Sequence, residues 1–325
     1  MRMPQSLVLL AALYVSGIVP AAADGPVGGG VGMQAVEAEI EAPASPVPLL
    51  WKVSDEDNSV YLLGSFHLLK ADDHPLSEDI EVAFEDAERL AFEVPPEQVD
   101  DPANATLFLQ AAAYADGRRL SDVVPPEAHA KLVAMLDQAG MPAAAFETFE
   151  PWFVNLTLVL GMAQPMGFSG AHGLDQHFMK RAKAAGKPSI GLESIERQVA
   201  VLDGTPMDEQ VASLVELVDD PAALAEQLTK LHEAWRSGDA ATLQQVAIDE
   251  MKEKTPESYR MINVERNQAW LPQLRAMLDE SDSDDVLVVV GAMHLLGEDG
   301  LVEGLRDAGY GVERICSACE QGMGE

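Results

Sequence analysis

The sequence is poor in cysteine, in basic residues and in long apolar runs, and each shortage removes a class of protein. Two cysteines in 325 residues cannot build a disulfide-stapled scaffold. Against 54 acidic residues stand only 21 lysines and arginines, for a formal net charge of −33 and a pI near 4.3. Such a surface repels phosphate, so nucleic acid and anionic membrane surfaces are excluded as partners and the acidity serves solubility. Beyond the N-terminal stretch no apolar window approaches the roughly 20 residues of a membrane span. Neither His-Glu-x-x-His nor Gly-x-Ser-x-Gly occurs, which removes the zincin layout and the serine-hydrolase elbow. What is present, 47% hydrophobic and 23% charged residues, suits a soluble globular protein with a sizeable core.

The chain opens with Arg2, an apolar stretch from Leu7 to Val19, and Pro20-Ala21-Ala22-Ala23-Asp24. This pattern predicts a signal peptide over 1–23, cleaved after Ala23, and hence export to the periplasm or the extracellular space. No cysteine follows the apolar stretch, which argues against a lipoprotein. Residues 24–46 are Gly-rich and then Ala/Glu/Pro-rich, a flexible lead-in. One α/β domain is expected over 47–319, with a tail at 320–325. In an exported chain Cys316-Ser-Ala-Cys319 reads as a local disulfide, because a zinc site has no second pair and no helix start beside a βαβ strand is expected there.

Strands are predicted at Leu49–Val53 and Val60–Leu63 around a polar turn, at Leu90–Pro95, Lys187–Glu193, Val286–Val290 and Gly311–Ile315. Helices are predicted at Ser77–Arg89 and, within 102–166, at Ala103–Asp116, Pro126–Gln138 and Pro142–Met162. A helix opened at Gly170 ends near Gly186. The stretch 194–280 divides into Ser194–Leu202, Asp208–Val218, Pro221–Ser237, Asp239–Lys252 and Asn263–Leu278, and a last helix covers Gly297–Ala308. This order predicts an α/β fold with a mixed central sheet, flanking helices and a large helical insertion.

Chemistry gathers at strand ends. Val60-Tyr61-Leu62-Leu63 runs into Gly64-Ser65-Phe66-His67-Leu68-Leu69, and Val286 to Val290 runs into Gly291-Ala292-Met293-His294-Leu295-Leu296. Each is an apolar strand followed by Gly-x-x-His and Leu-Leu. One such histidine is usually a packed or capping side chain; two in the same context point to a shared site beyond the carboxyl ends of the strands. The glycines are expected to let the chain turn sharply and to bring each imidazole close to another backbone. Glu93 ends one β-segment among apolar neighbours, so either it meets an arginine or a metal, or it points outward from an edge strand. Glu193 ends another. Arg266-Asn267 precede Trp270, and Arg266 either neutralises a carboxylate, holds a substrate carbonyl oxygen or forms a surface ion pair of little worth. His74 reads as a turn residue, His177 as a surface residue and His232 as a structural one, while His172 stays open between capping and a site role.

Two Gly-x-x-His motifs, an early strand-end glutamate, Gly173-Leu174-Asp175 opening a helix, Leu192-Glu193 and Arg266-Asn267 together resemble the TraB/GumN family, which includes PrgY and the animal Tiki proteins. The resemblance covers roughly Leu49 to Ile315 with the order of the motifs kept. It implies a fold of the type shared with erythromycin esterase-like proteins and, from the Tiki members, a divalent-metal-dependent peptidase. On that basis His67, His294 and Glu93 are expected metal ligands, with Glu93, Glu193, Arg266 and Asn267 as catalytic-site residues. Two imidazoles and a carboxylate with an open position suit zinc, manganese, cobalt or iron, and such an ion activates water and polarises a carbonyl. The glutamate not bound to the ion would move the proton, and Arg266 would stabilise an oxyanion. The substrate is then a peptide or a small molecule. The rival is a periplasmic protein that binds a metal or haem through the same histidines without turnover.

Overall fold

The apolar run Val286 to Val290 lies where its composition sends it, inside a six-stranded sheet, in the computed structural model, which describes residues 45–279 and 284–321. The strands are β1 (Leu50–Ser54), β2 (Ser59–Ser65), β3 (Arg89–Phe92), β4 (Ser189–Gly191), β5 (Val286–Gly291) and β6 (Gly311–Arg314). Their spatial order is β4-β3-β5-β2-β1-β6. β5 pairs in parallel with β2 on one side and β3 on the other, and β3 pairs in parallel with β4. β1 runs antiparallel to both β2 and β6, so the sheet is mixed. Every residue of β2 and of β5 is buried, which is why both read as continuous apolar runs rather than as alternating ones. The predicted signal segment 1–23 and nearly all of the lead-in 24–46 fall outside the described residues, as do tail residues 322–325.

This order decides where the strand-end residues meet. From β2 the chain passes through the helix Glu78–Asp86 to β3, leaving a slot that β5 fills some 190 residues later. The register sets Ser65 opposite Gly291, and Phe92 opposite Val289, so the three strands finish nearly level. Because all four parallel strands point the same way, His67, Glu93, Glu193 and His294 emerge along one edge, at the point where the strand order reverses. Ligand crevices form at such points.

Neither motif glycine bends the chain. Gly291 has φ −50° and ψ 134°, and Gly64 is absent from the positive-φ positions, so the expected sharp turn is replaced by a demand for space. A Cβ on Gly64 would come within 3.2 Å of Ala292 Cβ and 3.3 Å of Leu49 Cβ. The two Gly-x-x-His segments therefore press directly on each other.

The helices Pro126–Gln138 and Pro221–Ser237 have the predicted limits. The single helix expected over Pro142–Met162 is instead a 3-10 turn, Ala143–Ala145, and a separate helix, Pro151–Ala163. Residues 146–148 form a turn in which the Phe149 amide donates to the Phe146 carbonyl at 3.1 Å, Phe149 then bridges to Ala113, and Pro151, lacking an N–H, suits the first turn of the new helix. Two further helical stretches widen into π-turns at Gln244–Asp249 and Arg260–Val264, and the second leads straight to Arg266. His232 is structural: its Nε2 lies 2.8 Å from buried Asp73, which also accepts from Arg236 and from the Lys70 amide. This tie fastens the helix Pro221–Ser237 to the loop that follows His67. Cys316 and Cys319 form a disulfide. Among the described residues no helix is long and apolar enough to cross a membrane.

Candidate functional site

Both motif histidines are buried, and each is held from behind by a partner on its Nδ1. His67 donates from Nδ1 to Asp175 Oδ2 at 2.7 Å. His294 Nδ1 lies 2.8 Å from Asn267 Oδ1, while the amide nitrogen of Asn267 donates to the carbonyls of His294 and Asp299. With its amide group committed as donor, Asn267 offers His294 only an acceptor, so the ring proton sits on Nδ1. Arg266 gives the same answer from the other side. Its NH1 donates to His294 Nε2 at 3.0 Å, and a guanidinium cannot accept. His294 is thus neutral, with the Nε2 lone pair turned inward. Burial, the Arg266 charge and His67 together hold its pKa well below the ordinary imidazole value.

The two inward-facing nitrogens converge on one carboxylate oxygen. Glu93 Oε1 is 3.8 Å from His67 Nε2 and 4.0 Å from His294 Nε2. Glu93 is fully buried. The same oxygen accepts the Gly291 amide at 2.8 Å, and Oε2 accepts from Gln198 at 2.9 Å and from Arg266 NH2 at 2.6 Å. The outward orientation on an edge strand does not occur, since β3 lies between β4 and β5. At the centre of the cluster sits the missing side chain of Gly291: a Cβ there would be 3.2 Å from Glu93 Oε1 and 3.5 Å from both His294 Cδ2 and His67 Nε2.

Arg266 links the remaining groups. Its Nε and NH2 donate to Glu193 Oε1 at 2.9 and 2.6 Å, and NH1 also reaches the Ile262 carbonyl at 3.2 Å. The guanidinium lies over the Trp270 ring, 4.6 Å from its centroid, and that ring packs 4.6 Å from His294. This arginine is buried, not a surface ion-pair partner. Burial pushes the Glu193 carboxyl above its ordinary value, against the pull of Arg266. Burial alone would lower His67, but the Asp175 and Glu93 carboxylates outweigh it and push the imidazole up to about 9. For Asp175 burial works upward, and the charge and hydrogen bond of His67 overcome it and hold the carboxyl low.

The donor set fits a divalent ion in kind. Ligating histidines characteristically give their second ring nitrogen to a carboxylate or carbonyl oxygen, as His67 does to Asp175 and His294 to Asn267, and a carboxylate oxygen of Glu93 faces both Nε2 atoms. In spacing the set is open. Among the described residues no three His, Cys, Asp or Glu side chains stand close enough to hold an ion, and the one lone pair of His294 Nε2 is engaged by Arg266.

His67, His294, Glu93, Glu193 and Arg266 thus form one cluster, with Asn267 positioning His294 from outside it. His74, His172 and His177 form a separate group: His74 Nε2 bonds the His172 carbonyl at 3.1 Å, and the rings of His74 and His177 stack at 4.3 Å. Burial and then His74 depress His177 to about 4. Sequence reasoning left Asp175 and Gln198 without roles, although each carries a readable signal. Asp175 shares the buried face of its helix with Phe178, Met179 and Ala182. Gln198 sits on the buried stripe of the helix Ile195–Asp203 with Ile195, Val199 and Leu202. A polar residue on an apolar stripe requires a buried partner.

A family model described as the TraB/PrgY/gumN family matches residues 49–314, a span that includes every residue of this cluster. The uncharacterized protein YbaP of Escherichia coli (strain K12) is 29% identical over 246 residues, 76% of this chain and 87% of its own length. YbaP of Shigella flexneri matches to the same extent. An uncharacterized protein of Treponema pallidum (strain Nichols) is 20% identical over 204 residues, 62% of this chain and 61% of its own. No solved structure matches.

Proposed function

This chain belongs to the TraB/PrgY/gumN family, and from that premise we propose that it is an exported hydrolase of peptide or related amide bonds that uses a divalent metal ion. The ion, zinc, manganese, cobalt or iron, would be held by His67, His294 and Glu93. One observation carries the reading: two imidazoles with anchored Nδ1 atoms turn their Nε2 atoms toward a single oxygen of Glu93, at 3.8 and 4.0 Å. When bound, the ion supplies an activated water and a polarised substrate carbonyl.

The side chains divide the remaining work. Asp175 and Asn267 fix ring orientation, so the nitrogen that faces the centre is in each case Nε2. Glu193, with a carboxyl raised by burial, takes a proton from the attacking water and returns it to the leaving amine, which matches a group poised nearer neutrality than an exposed glutamate. Arg266 places a positive charge in dry surroundings, where it stabilises an oxyanion more than it would in water. The near-complete burial of His67, Glu93 and His294 keeps bulk solvent from the reacting centre. Action in the periplasm or outside the cell belongs to the same proposal and follows from the N-terminal segment.

The test strips purified protein of metal, reloads it separately with each of the four ions, and maps cleavage of a peptide library by mass spectrometry. Metal-dependent cleavage that His294→Ala and Glu93→Gln abolish is the expected result. Cleavage that survives chelation would replace this mechanism with a metal-free one. Stoichiometric metal or haem without cleavage would favour the binding-protein alternative.

A further inference from the structure

We infer that Arg266 keeps the cation position closed, so that a divalent ion enters only when this guanidinium leaves His294. The inference rests on the metal-dependent reading above and adds to it a resident competitor supplied by the chain itself. An imidazole nitrogen has one lone pair. That of His294 Nε2 accepts from Arg266 NH1 at 3.0 Å, and Asn267 fixes the proton on Nδ1, so the ring has no second acceptor to offer an ion. Arg266 NH2 also holds Glu93 Oε2 at 2.6 Å. One guanidinium thus occupies two of the three residues that an ion would use. It supplies there the positive charge that the buried carboxylates require.

The same contacts show how the group moves aside. Nε and NH2 both bond Glu193 Oε1, and Glu193 is the least buried member of the cluster, with 7% of its side chain exposed against 0% for Glu93. A swing about that oxygen releases His294 and Glu93 while the arginine keeps a countercharge. Trp270 reports the movement, because its ring touches both the guanidinium and His294. At 3.8 and 4.0 Å from Glu93 Oε1 the two nitrogens are not gathered around an ion, and the positive charge beside them is that of the guanidinium.

The experiment titrates manganese into metal-free full-length protein, with free manganese followed by electron paramagnetic resonance and tryptophan emission recorded in parallel. Arg266→Gln is expected to bind manganese at least tenfold tighter than the wild type. Arg266→Lys, whose single ammonium cannot span His294, Glu93 and Glu193 together, is expected to bind tighter by a smaller factor, and it decides the matter if the glutamine variant does not fold. In the wild type, binding should change the emission of Trp270, and the change should vanish in Trp270→Phe. Wild-type protein that binds manganese as tightly as both arginine variants would overturn the gate and leave the metal site standing. No binding by any of the three would overturn the metal reading itself, and the gate with it.

Discussion

Gly291→Ala puts one methyl group into the middle of the proposed site and almost nothing else. The backbone at this position, φ −50° and ψ 134°, is open to alanine, so the loss of unfolded-state freedom stabilises the variant by about 0.4–1 kcal/mol. Against this stands the added Cβ, 3.2 Å from Glu93 Oε1 and 3.5 Å from His67 Nε2 and His294 Cδ2. Two of these distances are ordinary contacts and the third requires a shift of a few tenths of an ångström. The cost therefore falls near the low end of the roughly 1–3 kcal/mol for overpacking. The two effects nearly cancel, and thermal unfolding is expected to move by only a few degrees. Function is expected to respond differently. An ion bonded at about 2.0–2.1 Å to each nitrogen needs the volume the methyl now fills, so metal affinity should fall by about 100-fold or more, beyond the roughly 10–100-fold lost when a group that only orients a metal ligand is removed. Cleavage should be lost with it. Isothermal titration with the ion, read beside a melting curve, separates the two quantities. Gly64→Ala is the control: its Cβ would meet Ala292 and Leu49, so it should destabilise without touching the polar groups. A Gly291→Ala protein with wild-type stability, metal affinity and turnover would refute the placement of the chemistry between these three side chains.

Asp175→Asn keeps the shape of the group behind His67 but removes its charge; activity or metal affinity should drop about 10–100-fold with the fold intact, as checked by steady-state kinetics and circular dichroism. For Asp73, burial is outweighed by His232, the Lys70 amide and Arg236, and the carboxyl is held down to about 2 from 3.8. The folded value lies below the unfolded one, so the stabilisation, roughly 2 kcal/mol, is complete above about pH 4 and is lost as pH falls through about 2. Asp73→Asn should accordingly be less stable than wild type by about that amount at pH 7 in urea unfolding, and the gap should close in acid; a gap that stays constant with pH contradicts the assignment. The Cys316–Cys319 bridge closes a loop of only four residues at the end of the chain, worth about 2 kcal/mol at most in the chain-entropy account. Reduction should lower the melting temperature by a few degrees and leave metal binding unchanged.

The sequence by itself determined the parts that depend on neighbours along the chain. Val286 to Val290 read as a strand covered on both faces, Pro126–Gln138 and Pro221–Ser237 carried helical spacing between clear limits, and repeated Gly-x-x-His at strand ends marked His67 and His294. Local signals failed where a distant contact overruled them. The Ala113–Phe149 bridge split one expected helix, and the π-turn before Arg266 leaves no mark in apolar spacing. The tertiary structure alone decided the site. Whether Glu93 faces inward depends on β5 entering between β2 and β3, and the partners that define each role come from far along the chain: Asp175 lies 108 positions from His67, and Glu93 lies 173 from Arg266. Hydrogen bonds are set by distance and orientation in space, not by periodicity, so the arginine that spans both glutamates and His294 became legible only once the sheet had brought its strand ends together.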